Sequence, residues 1–196
     1  MKRHLLTAAI ALAAASAATS SQASTIKIET AVSATGMQAN AAAYRSAVES
    51  ALKTGSYASA NVNSYDQLTH AALFGGISNF AWKASINFNV ATAENWSFRA
   101  SPDFGRGGAI FLDGVAYDSI SRNIWDTSYS NAANFLDFSV NQLAKGNHTL
   151  TIYGFEDCCD GVQQAQFKTQ NGQYTSFSNT DGHNPCLLYT SPSPRD

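Results

Sequence analysis

The densest run of reactive and charged side chains in this 196-residue sequence is Glu156-Asp157-Cys158-Cys159-Asp160-Gly161. Two adjacent thiols have few chemical options. Joined to each other they make a vicinal disulfide, which is awkward because trans-linked neighbours have Cα atoms about 3.8 Å apart. The usual lower limit for a disulfide is about 4.4 Å. A tight, strained turn follows, which Gly161 suits, and strain of this kind gathers at functional loops. Two other readings stay open: a staple that only rigidifies a turn, and two free small hydrophobes at a strand end. Zinc is disfavoured, because its cysteine pairs stand two to four residues apart.

The acids around that turn, Asp157 and Asp160, suggest a hard cation. With Asp103, from Ser101-Pro102-Asp103-Phe104-Gly105-Arg106-Gly107-Gly108, they would form a calcium set on flexible loops. Asp and Gly are also turn formers in their own right, so solvated turn residues are the competing reading. Trp125 and Tyr129 lie in a polar stretch, Arg122 to Asn134, where an exposed ring could stack on a sugar. Trp82 and Trp96, on apolar strand faces, read as core. These features nominate Asp103, Trp125, Tyr129, Asp160 and Gly161 as ligand-binding residues.

Signs of catalysis are weak. Gly-x-Ser-x-Gly, His-Glu-x-x-His and phosphate-loop patterns are absent from the sequence. His148 opens a strand and reads as a hairpin-end residue. The sequons Asn95-Trp96-Ser97 and Asn147-His148-Thr149 read as chance matches. The expectation is a protein that is not an enzyme.

The elements that must hold these residues are mostly strands. Phe80, Trp82, Ala84, Ile86, Phe88 and Val90 alternate with Lys83, Ser85, Asn87 and Asn89, which is the period of a strand with one face buried. Shorter alternating runs occur at Thr25–Thr30, Trp96–Ala100, Ala109–Leu112, Val115–Tyr117, Leu136–Val140, His148–Tyr153, Val162–Lys168 and Tyr174–Phe177. Asp113-Gly114 is a hairpin signal. Asn40 to Thr54 reads as the only helix, capped by Asn40 and stopped by Gly55. Ser56 to Asp66 reads as a polar connection. The pattern predicts an all-β antiparallel sandwich or jelly roll with one short N-terminal helix.

The two ends read differently from the middle. Lys2-Arg3-His4, the apolar run Leu5–Ala18 and the small residues before Ala23 make a secretory signal peptide, residues 1–23. The mature domain is then 24–185, delivered to the surface or the extracellular space. No later run approaches the roughly 20 apolar residues of a membrane span. Cys186 to Asp196 reads CLLYTSPSPRD and resembles a translated sequencing adapter, so 186–196 is set apart from the fold. The chain has 12 Lys/Arg against 14 Asp/Glu, a net charge of −2. Its few basic residues are scattered, which argues against nucleic acid as a partner.

The stretch Arg99 to Gly114, Trp125, and Leu143 to Glu156 with its Gly146-Asn147-His148 turn together resemble a protective-antigen-type β-sandwich, the group that includes flocculins and yeast adhesins. With Cys158-Cys159-Asp160-Gly161 added, the chain also resembles a bacterial exported family named for its Cys-Cys-x-Gly motif, some members of which carry a PEP-CTERM sorting signal. The match spans roughly Phe80 to Lys168. The first resemblance implies a glycan-binding jelly roll, sometimes with calcium held by two adjacent aspartates joined by a cis peptide. Here that position reads Pro102-Asp103, so one carboxylate is missing, although Ser101–Pro102 could still be cis. The combined expectation is an exported, non-catalytic binding module whose partner is glycan or another surface or matrix component. The alternative is a structural surface protein with no soluble ligand.

Overall fold

A computed structural model describes residues 24–183; residues 1–23, expected to be a signal peptide, and 184–196, with the expected adapter-like tail, lie outside the described residues. Ten strands form two antiparallel sheets. In chain order they are β1 (Thr25–Val32), β2 (Tyr57–Val62), β3 (Phe80–Val90), β4 (Glu94–Ser101), β5 (Gly108–Leu112), β6 (Val115–Ile120), β7 (Leu136–Leu143), β8 (Gly146–Glu156), β9 (Gln164–Thr169) and β10 (Thr175–Ser176). The larger sheet runs β2-β1-β3-β8-β5-β6, and the smaller runs β10-β9-β4-β7. The antiparallel sandwich expected from the alternation is therefore present.

The alternation in β3 works as its pattern requires. Phe80, Trp82, Ala84, Ile86, Phe88 and Val90 are all buried between the sheets. They meet Trp96 and Phe98 of β4, Phe167 of β9, and Leu150 and Ile152 of β8. Trp82 and Trp96 are core, as expected. Two glycines shape this interior. Gly108 and Gly154 pair across β5 and β8, and the ring of Phe104 lies on them so closely that a Cβ on Gly154 would overlap it.

The helix α1 (Ala41–Thr54) starts at Asn40, whose side chain accepts the Ala43 N–H at 3.0 Å. Its buried stripe, Ala41, Tyr44, Val48 and Ala51, covers the outer face of the large sheet at Ala81, Ala109, Phe111, Tyr153 and Phe155. Two corrections to the sequence reading follow. The stretch read as a polar connection contains β2, paired along β1 from Ile26↔Val62 to Ala31↔Tyr57. A second helix, α2 (His70–Phe74), and a 3-10 turn at Ala132–Asn134 join α1.

The hairpin at Asp113-Gly114 is as the sequence signals, with both residues at positive φ (52° and 78°). His148 sits beside it. Its Nδ1 lies 2.7 Å from Asp113 Oδ2 and its Nε2 lies 2.8 Å from the Ala144 carbonyl, so it ties two hairpins together. At this same end the Ser24 N–H donates to the Ser178 carbonyl at 3.1 Å, and the Asn89 N–H donates to the His183 carbonyl at 2.6 Å. The first and last described residues thus meet at one end of the sandwich. The chemistry-bearing residues lie at the other.

Candidate functional site

β8 ends at Glu156 opposite Phe80, and the chain turns there through Asp157, Cys158 and Cys159. The two cysteines form the vicinal disulfide, with Cα atoms 3.7 Å apart. Cys159 has φ 78°, a region that side chains seldom adopt. All peptide bonds among the described residues are trans, Ser101–Pro102 included.

This turn, the loop after β4 and the segment around Trp125 line one open cleft of about 570 Å³. Asp103, Asn123, Trp125, Thr127, Asp157, Cys158, Cys159, Gly161 and Val162 contribute to it. Trp125 is 63% exposed, which is unusual for so large an apolar ring and leaves a face free for a ligand. The lining holds two carboxylates and no Lys, Arg or His.

Each carboxylate here has a distinct role. Asp103 packs against Gly161, where a Cβ would overlap its carboxyl group. Burial pushes the Asp103 carboxyl above its ordinary range; the Gly161 N–H pulls the other way, and the charges of Asp160 and Asp157 add to the rise. Asp157 Oδ1 accepts the Cys158 N–H at 2.9 Å. Glu156, one residue earlier, is 1% exposed. Its Oε2 accepts the Gly105 N–H at 2.7 Å, and its Oε1 accepts the N–H groups of Asp157 and Cys158, each at 2.9 Å. Burial pushes its carboxyl up to about 7 against the pull of those bonds.

Of the nominated residues, the structure brings together Asp103, Trp125, Gly161, Asp157 and the cysteine pair. Two are placed otherwise. Asp160 accepts the N–H groups of His70 at 3.0 Å and Ala71 at 2.7 Å, so it caps α2. Tyr129 does not line the cleft: it packs edge-on against Phe135 and carries the Arg99 guanidinium 4.0 Å over its ring. The calcium set of Asp103, Asp157 and Asp160 is not assembled, because Asp160 is spent on the helix. Among the described residues no three His, Cys, Asp or Glu side chains are grouped to hold a metal ion. The donors present do not fit the proposed ion.

Asn123, Thr127 and Val162 were not singled out from the sequence, where nothing distinguishes them from other loop residues. Glu156 stood out only as one acid among several. Its signal, an acid directly after the apolar run Leu150–Phe155, becomes readable once β8 is known to end under the cleft.

No family model and no curated protein matches the chain. Solved structures do. A PA14 sugar-binding domain from an RTX adhesin superposes with a TM-score of 0.53 at 13% identity, over 83% of this chain and 98% of that one. The PA14 domain of the MpAFP antifreeze protein gives 0.52 at 11%, over 81% and 88%. The Epithelial Adhesin 9 A domain from Candida glabrata, in complex with Galβ1-3GlcNAc, gives 0.50 at 10%, over 83% and 92%. At such identities the likeness is one of fold, and it agrees with the protective-antigen-type sandwich that the sequence resembles.

Proposed function

We propose that the chain is an exported, non-catalytic module of the cell surface or extracellular space that binds glycan in the cleft at Trp125. The observation that carries this reading is the exposed Trp125 ring sharing a cleft with the vicinal disulfide and with the polar groups of Asp103, Asn123 and Thr127. A pyranose presents an apolar face and a rim of hydroxyls, which this mixture suits. Two carboxylates without a base disfavour anionic sugars and leave neutral or amine-bearing ones. The likeness in fold to sugar-binding adhesin domains supports the same reading. The Cys-Cys-Asp-Gly turn supports the resemblance to the exported Cys-Cys-x-Gly family, and with it surface delivery. No helix among the described residues is long and apolar enough to cross a membrane.

The test is a glycan-array screen of the protein, repeated with a chelator. Neutral or amino-sugar ligands should bind equally in both conditions, and Trp125→Ala should weaken binding about tenfold, the scale of one aromatic contact. Loss of binding in chelator would restore a metal to the site. Absence of any glycan ligand, with concentration-dependent assembly by light scattering, would replace this function with the structural one.

A further inference from the structure

Glu156 is a buried carboxylate that the glycan-binding reading does not use. It sits where two loops come together, beside the contact that the Gly161 N–H makes with the Asp103 carboxyl. On one side is the segment after β4, Pro102 to Gly107, which carries Asp103. On the other is the Asp157–Gly161 turn, which carries the disulfide. The Gly105 N–H belongs to the first loop, and the Asp157 and Cys158 N–H groups belong to the second. The approach depends on Gly105 lacking a side chain: a Cβ there would overlap Asp157 Oδ1 and come within 2.9 Å of Glu156 Oε1. Both loops also have outside anchors. Phe104 is clamped over Gly108 and Gly154, the Tyr44 hydroxyl donates to the Arg106 carbonyl at 2.7 Å, and Asp160 holds α2. Between the two loops, the Glu156 carboxylate bonds directly to both.

We infer that Glu156 is the positioning residue of the cleft, its two oxygens holding the Asp103 loop and the Cys158-Cys159 turn in register so that both line one site. This deepens the glycan-binding reading and rests on it for its ligand. A carboxylate accepts backbone N–H bonds more strongly than a neutral amide does, and its two oxygens can serve both loops at once. The other charged or titratable groups near this junction are Asp103 and Arg106 on the clamped loop, Asp157 and Asp160 on its own turn, and His70 at the start of α2. Arg106 is engaged by Asn79 Oδ1 at 2.9 Å and by the Thr35 carbonyl, and Asp160 by the α2 amides.

Glu156→Gln separates positioning from folding. The amide keeps one oxygen for the Asp157 and Cys158 N–H groups and turns an NH2 toward the Gly105 N–H, which breaks the tie between the loops. The ligand-free readout is amide hydrogen exchange by NMR at neutral pH. Gly105 should exchange at least about tenfold faster in the variant, the scale of one charge-assisted bond, while the amides of β3 and β8 stay as slow as in wild type. The second readout is affinity for whichever array glycan binds wild type. It should be weaker in Glu156→Gln at neutral pH. Unchanged Gly105 exchange, or glycan affinity in the variant equal to wild type, overturns the proposal. Faster exchange with no glycan binding to either protein leaves the clamp standing and removes the glycan reading.

Discussion

Two loops that line the cleft are built in the same way and behave oppositely. Trp125 and Thr127 flank Asp126, whose carboxylate accepts the Asn131 N–H at 2.7 Å, the Ser128 N–H at 3.0 Å and the Ser128 hydroxyl at 2.7 Å. Those bonds, led by Ser128, draw its carboxyl down to about 2. The turn that carries the disulfide is organised by Glu156 through three N–H bonds, yet burial drives that carboxyl up to about 7. Hydrogen bonds favour the ion in both cases; what differs is how much water each ion has given up. The same device thus yields a loop that stays set across the physiological range and one whose clamp titrates within it.

The heaviest blow to that comparison is Gly154→Ala. The new Cβ would overlap Phe104 and unseat the loop bound by Glu156, reaching the Asp126 loop only through the Phe104–Ile124 backbone pair. Overpacking on this scale costs about 2–3 kcal/mol, and urea denaturation should show it as a lower midpoint at unchanged slope. An unchanged midpoint would mean that Phe104 does not anchor the loop.

The next effect is in the pH dependence of the thermal midpoint, where the two carboxyls have opposite signs. Asp126 is lowered from 3.8 to about 2, so its contribution is present above about 4 and is lost as pH falls toward 2. Glu156 is raised from 4.5 to about 7, so its contribution is present below 4.5 and is lost as pH rises toward 7. Asp126→Asn should flatten the acid limb alone, and Glu156→Gln the limb between about pH 4.5 and 7 alone. A variant that altered both limbs would show that the loops are not independent.

The smallest effect on stability belongs to the pair that stood out most in the sequence. A bridge between neighbours closes almost no loop, so Cys158→Ser with Cys159→Ser should cost only about 1 kcal/mol by chain entropy. Its effect should fall on glycan affinity, because the pair lines the cleft. Retained affinity in the double serine protein would make the disulfide a staple and nothing more.

The sequence made the sandwich legible because β3 alternates without a break and the Asp113-Gly114 turn carries its own chemistry. β2 was hidden because Tyr57-Ala-Ser-Ala-Asn-Val62 is half-buried at a sheet edge, and its small and polar residues dilute the period. α2 was hidden because it has five residues and only one local cap, Thr69, while its other cap, Asp160, lies 90 residues from His70 where no local pattern links them. In the site, exposed aromatic and strained-turn signals correctly brought out Trp125 and the cysteine pair. Asp160 and Tyr129 misled because an acid in a turn and a ring in a polar stretch serve structural duties as readily as binding ones. The role of Glu156 depends on Gly105, 51 residues away, and only the register of β4, β5 and β8 brings them together.

Ser24 and His183 meet at the end of the sandwich where β3 finishes, at Asn89, whereas the cleft opens beside its first residue, Phe80. Eleven residues of extended chain separate them, roughly 35 Å. Cargo or tether joined at either of those residues would therefore hang from the back of the molecule. The binding mouth would point outward and stay unobstructed, the orientation in which a short stalk is enough for reaching a neighbouring surface.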